Sequence, residues 1–111
     1  MENNNPRNLR NELNQLMYEA DSFFTSFSKL DQEVYTEGNI PLKYKELTGL
    51  SISIVTHCNE CIAYHIDQCL ALNVSKDELL EAIKIGVVAG GSVTFPQARY
   101  AFSILREKEI I

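Results

Sequence analysis

His57-Cys58-Asn59-Glu60-Cys61-Ile62-Ala63-Tyr64-His65 is the stretch on which the reading of this chain turns. Two cysteines stand three apart, and a histidine follows the second by four. Read as a helix, the spacing puts Cys58, Cys61 and His65 on one face, as neighbours one turn apart. A thiol pair beside a base can form a thiolate, attack an oxidant and close a disulfide. The helix start adds to this, because its unpaired N–H groups favour a thiolate at Cys58 or Cys61. That effect is about 0.3–1 kcal/mol when exposed and more when partly buried. At roughly 1.4 kcal/mol per pKa unit it moves a thiol by about one unit, and His65 must supply the remainder.

Working outward, the pattern predicts helices on both sides. Leu42 to about Thr56 reads as a helix with Leu47, Leu50, Ile54 and Val55 as core candidates, despite the strand-like alternation Ser51-Ile52-Ser53-Ile54. The thiol helix runs from Cys58 to Leu72 and stops at Asn73, a residue that tolerates left-handed backbone. Ser75-Lys76-Asp77-Glu78 has the form of a capping box. It opens a helix carrying Leu79, Leu80, Ala82, Ile83, Val87 and Val88 up to Gly90-Gly91, a helix stop or a point of close packing. A last helix covers about Thr94 to Lys108, with Phe95, Ala98, Ala101, Phe102 and Leu105. Towards the N-terminus, apolar positions recur with helical spacing from Leu9 to Phe27, and the Phe23, Phe24, Phe27 cluster reads as core or subunit interface. Asp31 is expected to cap a short helix through Tyr35 that Gly38-Asn39 ends, and Ile40-Pro41-Leu42 reads as a connector. Residues 1–8 read as a flexible tail, and 9–111 as one helical domain of about five to six helices. No segment reads as a convincing strand, and the fold class is all-α.

A reversal near His57 makes the two central helices an antiparallel pair. Positions equidistant from the hinge then face each other: Ser53 opposite Cys61, Gly49 opposite His65, and Glu46 within about one turn of the level of His65. Small Gly49 and Ser53 let the backbones approach and leave a narrow polar pocket. The expected relay has Glu46 polarising His65, directly or through a water, and His65 taking a proton from a thiol.

Composition narrows the function classes. The net charge is −5, and the lysines and arginines form no stripe, which argues against nucleic acid or an anionic membrane as the main partner. The N-terminal Met-Glu-Asn-Asn-Asn-Pro is unlike a secretory signal, and three cysteines, an odd number, fit a reducing compartment; the expected location is cytoplasmic. Rival readings of the cysteines are a static disulfide and a zinc site made by Cys58, Cys61, His65 and Glu46. Structural zinc usually takes two pairs of Cys or His, and no second pair exists here. Cys69 reads as a buried small hydrophobe, His57 as an exposed cap or a tuner of Cys58, and Glu60 as a solvated side chain.

Lys45-Glu46-Leu47, Cys58-x-x-Cys61-x-x-x-His65, Ser75-Lys76-Asp77-Glu78-Leu79 and Gly90-Gly91 together resemble the carboxymuconolactone decarboxylase superfamily, and within it the alkylhydroperoxidase D (AhpD)-like core. The resemblance implies a helical homo-oligomer, with a hexamer favoured over a trimer. It implies a peroxidase without bound cofactor in which Cys61 becomes the sulfenic acid, Cys58 resolves it to a disulfide, and Glu46 and His65 relay protons. The implied partners are a hydroperoxide and an external dithiol, a thioredoxin-like or lipoyl protein. Peroxidases of this type carry a second histidine just before the second cysteine; here that position is Glu60, whose carboxylate disfavours a neighbouring thiolate. The alternatives are a lactone decarboxylase using Glu46 and His65 alone, and a non-enzymatic redox-sensing or zinc-binding oligomeric module.

Overall fold

Helix follows helix in the computed structural model, which describes residues 5–111. The order is α1 (Pro6–Ala20), α2 (Ser22–Val34), α3 (Leu42–Val55), α4 (Asn59–Ala71), α5 (Lys76–Gly90), a 3-10 turn (Ser92–Thr94) and α6 (Phe95–Glu107). The fold is all-α, and no strand occurs among the described residues. Of the tail expected over 1–8, residues 1–4 lie outside the described residues, and Pro6–Asn8 belong to α1. The helices fall into two compact units, Met1–Thr36 and Glu37–Ile111.

In the first unit the apolar periodicity is split into two helices at Asp21. Its backbone is extended and its carboxylate accepts the Phe23 N–H at 2.8 Å, an N-cap that starts α2. Asp31, expected to cap a helix of its own, lies inside α2, and its carbonyl accepts the Tyr35 N–H that closes that helix. Tyr18 and Ser28 tie α1 to α2 through their hydroxyls. No residue of α2 is buried, so the phenylalanines do not form a core within this unit.

The second unit holds the core. Leu50, Ile54, Ile62, Ile66, Cys69, Leu79, Ala101 and Leu105 are fully buried. Three helix ends share one closing device. His57, Asn73 and Glu109 each adopt left-handed backbone. Around each, the chain makes the paired hydrogen bonds of a Schellman motif: His57 N–H to the Ile54 carbonyl and Cys58 N–H to that of Ser53, with equivalent bonds after α4 and α6. The α3 motif turns the chain directly into Cys58. The capping box at Ser75 and Glu78 forms as the sequence implies, and Glu78 also holds Lys43 of α3 at 2.8 Å. Gly91 ends α5 in left-handed backbone, while at Gly90 any Cβ would meet the Thr94 methyl.

Val55, expected in the core, lies on the surface instead, as do the apolar Val88, Phe95 and Phe102 of the later helices; the four are 39–85% exposed. Helical spacing marks an apolar stripe but not which of two adjoining stripes the core takes. α3 and α5 pack closely at Gly86. A Cβ on Gly86 would lie 2.7 Å from Ile54 Cβ and 2.8 Å from the Ser51 carbonyl oxygen, and the Ser51 hydroxyl donates to the Ala82 carbonyl at 2.7 Å. On an open helix surface, Gly→Ala gains about 1 kcal/mol from helix propensity. At Gly86 the sign reverses, because backbone blocks the methyl: Gly86→Ala is expected to cost about 1–3 kcal/mol, read as a lower urea midpoint. A raised midpoint would contradict this packing.

Candidate active site

Glu46, Gly49, Leu50, Ser53 and Ile54 make the buried face of α3, and Ile62, His65, Ile66 and Cys69 that of α4. The apolar members lock the helices together and set the level at which the polar members meet. Glu46 Oε1 lies 2.7 Å from His65 Nδ1, a direct contact with no intervening water. Glu46 is 2% exposed and His65 9%. A carboxyl this deep needs a partner, and the imidazole supplies it. With the proton on Nδ1 and donated to Glu46, Nε2 is the basic nitrogen of the ring.

Gly49 makes room for that ring. A Cβ there would sit 2.5 Å from His65 Cε1 and 2.7 Å from Nδ1 and Nε2. Ser53 is buried and satisfies its hydroxyl within its own helix. It donates to the Gly49 carbonyl at 2.6 Å, one turn back on its own helix.

Cys58 and Cys61 are joined in a disulfide, with their Cα atoms 5.2 Å apart. Cys58 is the N-cap of α4, and its sulfur accepts the Cys61 N–H at 3.2 Å. A sulfur so placed takes the role that an Asp or Ser oxygen plays in other helices, and in the reduced protein it favours the thiolate at Cys58. Cys61 lies one turn before His65 on the same helix, the spacing at which side chains are neighbours. Both sulfur-bearing residues are only partly buried, so a small reactant can reach them.

The remaining residues sort plainly. His57 is exposed and serves the Schellman turn. Glu60 is exposed in the first turn of α4. Cys69 is fully buried; that burial, with the Glu46 and Glu78 carboxylates adding to it, pushes its thiol up to about 12. Tyr64 was not marked by the sequence. It is 40% exposed, and its ring stands edge-on to His65 with centroids 5.3 Å apart. Its only signal in the sequence is adjacency to His65. Among the described residues, no group of three or more His, Cys, Asp or Glu side chains is placed to hold a metal ion.

An all-helical protein with a disulfide at a helix start and a buried carboxylate–imidazole pair one turn along defines a class. The chain belongs to the carboxymuconolactone decarboxylase family, whose model matches residues 21–107 and so spans the whole site. It is similar to a family protein of known structure from Thermotoga maritima, with 37% identity over 92% of this chain and 87% of that one and a TM-score of 0.86. It is also similar to a family protein from Legionella pneumophila, with 27% identity over 91% and 90% of the two chains and a TM-score of 0.81. An uncharacterized protein of Cupriavidus necator is 26% identical over 73% of this chain and 69% of its own length.

Two outcomes follow from the site geometry. Gly49→Ala is expected to push the His65 ring off Glu46 and to destabilise the fold by about 1–3 kcal/mol; an unchanged urea midpoint together with unchanged His65 ring signals by NMR would contradict the contact. Cys69 keeps its proton in the folded chain where the unfolded chain loses it. Its contribution to stability is therefore complete below pH 9.0 and is lost as the pH rises towards about 12. In the reduced native protein at pH 9, iodoacetamide should label Cys58 and Cys61 and reach Cys69 only after denaturation. Labelling of Cys69 at a matching rate in the folded state would show that it is not sequestered.

Proposed function

We propose that this protein is a small dithiol peroxidase or thiol–disulfide oxidoreductase of the AhpD type. The observation that carries the reading is the buried Glu46–His65 hydrogen bond one helical turn from Cys61, whose sulfur is bonded to that of Cys58. In the reduced state, His65 Nε2 takes the Cys61 proton while Glu46 steadies the imidazolium that results. The Cys61 thiolate attacks the distal oxygen of a hydroperoxide, the O–O bond breaks, and the alkoxide leaves as an alcohol with the proton returned by His65. Cys61 is then a sulfenic acid. Cys58 attacks its sulfur, water leaves, and the Cys58–Cys61 disulfide closes. An external dithiol, thioredoxin-like or lipoyl, restores both thiols by two exchange steps and is itself oxidised.

The N-cap position of Cys58 supports a division of labour. A thiolate favoured by the helix start is a good leaving group when an incoming thiolate attacks the disulfide. Family membership adds support, since a part in the antioxidative response has been suggested for the Thermotoga maritima relative. In this reading the protein works as a homo-oligomer.

Stoichiometric hydroperoxide followed by mass spectrometry tests the assignment. The Cys58→Ser protein should gain one oxygen at Cys61, and the Cys61→Ser protein should form no sulfenate. Glu46→Gln should lower the rate of peroxide consumption by about 10²–10⁴-fold, the usual scale of general acid–base assistance. An unmodified Cys61 in Cys58→Ser would refute the peroxidase. Turnover of a carboxylated lactone that survives loss of both cysteines would favour a decarboxylase.

A further inference from the structure

Two exposed faces of the Glu37–Ile111 unit match each other in form and charge. The first is a groove of about 580 Å³ between α3 and α5. Its walls include Ile52, Val55 and Ile85, which are 53%, 39% and 63% exposed, and the exposed Glu81 is part of its lining. Tyr44, Thr48, Ser51 and Val55 lie along it at helical spacing. They sit about half a turn around α3 from Glu46, Gly49 and Ser53. The groove therefore faces away from the carboxylate–imidazole pair and offers a substrate no route to it.

The second face is a stripe of α6: Phe95, Arg99, Phe102 and Arg106, spaced i, i+4, i+7 and i+11. It is turned well away from Ala101 and Leu105, which fasten α6 to the core. Phe95 is 53% exposed and Phe102 43%. Among the described residues, neither arginine has an ion-pair partner, and neither does Glu81. In a chain of net charge −5, two bare guanidinium groups alternating with two bare phenyl rings stand out as a local exception.

We propose that the α6 stripe of one copy of this chain seats in the α3–α5 groove of a second copy. Phe95 and Phe102 fill the apolar floor, as the spaced apolar side chains of a helix do in helix-in-groove recognition. Arg99 and Arg106 meet the acidic end of α5, where Glu81 is bare, Asp77 is exposed and Glu78 is already held by Lys43. This charge match favours a second copy over an acidic partner, which Glu81 would repel. The two faces are different, so the contact is heterologous. The pair then keeps one open groove on one copy and one open stripe on the other, and successive copies close into a ring or extend. The inference rests on no step of the redox chemistry: a mixture that gains no mass leaves the sulfenate test standing, and an unmodified Cys61 leaves the mixing test standing.

Mixing separates this contact from any other mode of assembly. Ile85→Arg blocks the groove but leaves the stripe, and Phe102→Glu spoils the stripe but leaves the groove. Both positions are exposed, and each variant should keep the helical circular dichroism spectrum of the wild type. By sedimentation velocity, wild type should exceed the monomer mass, and each variant alone should fall below the wild-type mass. An equimolar mixture should gain mass over both components, because one intact groove still meets one intact stripe. As a second pair, Glu81→Arg should weaken assembly, and adding Arg99→Glu with Arg106→Glu should restore it. A monomeric wild type, a variant of either kind that keeps the wild-type mass, or a mixture that gains nothing would each overturn the proposal.

Discussion

The hydrogen bond between Glu46 and His65 is the constraint around which the α3–α4 pair is built. Its 2.7 Å length fixes how near the helices lie and which residue can stand at position 49. It also fixes which ring nitrogen of His65 faces away from the carboxylate. Such a pair is a poor choice for stability alone. Replacing a buried ion pair with well-packed apolar side chains is often neutral or stabilising, whereas removing one partner costs about 3–5 kcal/mol. In a small domain with little stability to spare, a buried carboxyl–imidazole pair is a feature that stability alone does not explain. Leu50 and Ile54 of α3 and Ile62 and Ile66 of α4, all fully buried in one core, hold the two helices in the rigid packing that keeps the pair in register.

The sulfurs meet different environments although they are three residues apart. Cys58 caps the helix and accepts the Cys61 N–H; Cys61 lies a turn before His65. The first arrangement stabilises negative charge on sulfur through backbone dipoles, and the second offers a base that can take a proton and return it. Glu60 acts against both by placing a carboxylate in the first turn. The left-handed turn at His57 brings the chain from the end of α3 to the start of α4 within a few residues. The hinge therefore fixes the sulfurs relative to the carboxylate on the other helix.

Much of this was legible in the residues. Spacings of three and four put Cys58, Cys61 and His65 on one face, and counting back from a hinge at His57 brought Glu46 to the level of His65. Capping chemistry announced itself at Ser75 and Glu78 and at Asn73, because those side chains act within a few residues of their own backbone. What was not legible depends on long-range packing. Gly86 belongs to no motif, and its role appears only when α3 crosses α5 over it. Val55, Val88, Phe95 and Phe102 continue apolar stripes yet face outward, because a one-dimensional pattern cannot say where the core ends. Asp21 and Asp31 are equally good caps in sequence; Asp21 starts α2, and Asp31 then falls inside that helix. Tyr64 looked like an ordinary helix residue until its ring was seen against His65.

The most direct measurement is of the His65 ring itself. In nitrogen-15-labelled, reduced protein at neutral pH, long-range nitrogen–proton correlation spectra report which ring nitrogen carries hydrogen. A proton on His65 Nδ1, with a low-field resonance that disappears in Glu46→Gln, is the predicted result. A ring protonated on Nε2 alone, or spectra indifferent to the loss of the Glu46 carboxylate, would contradict it.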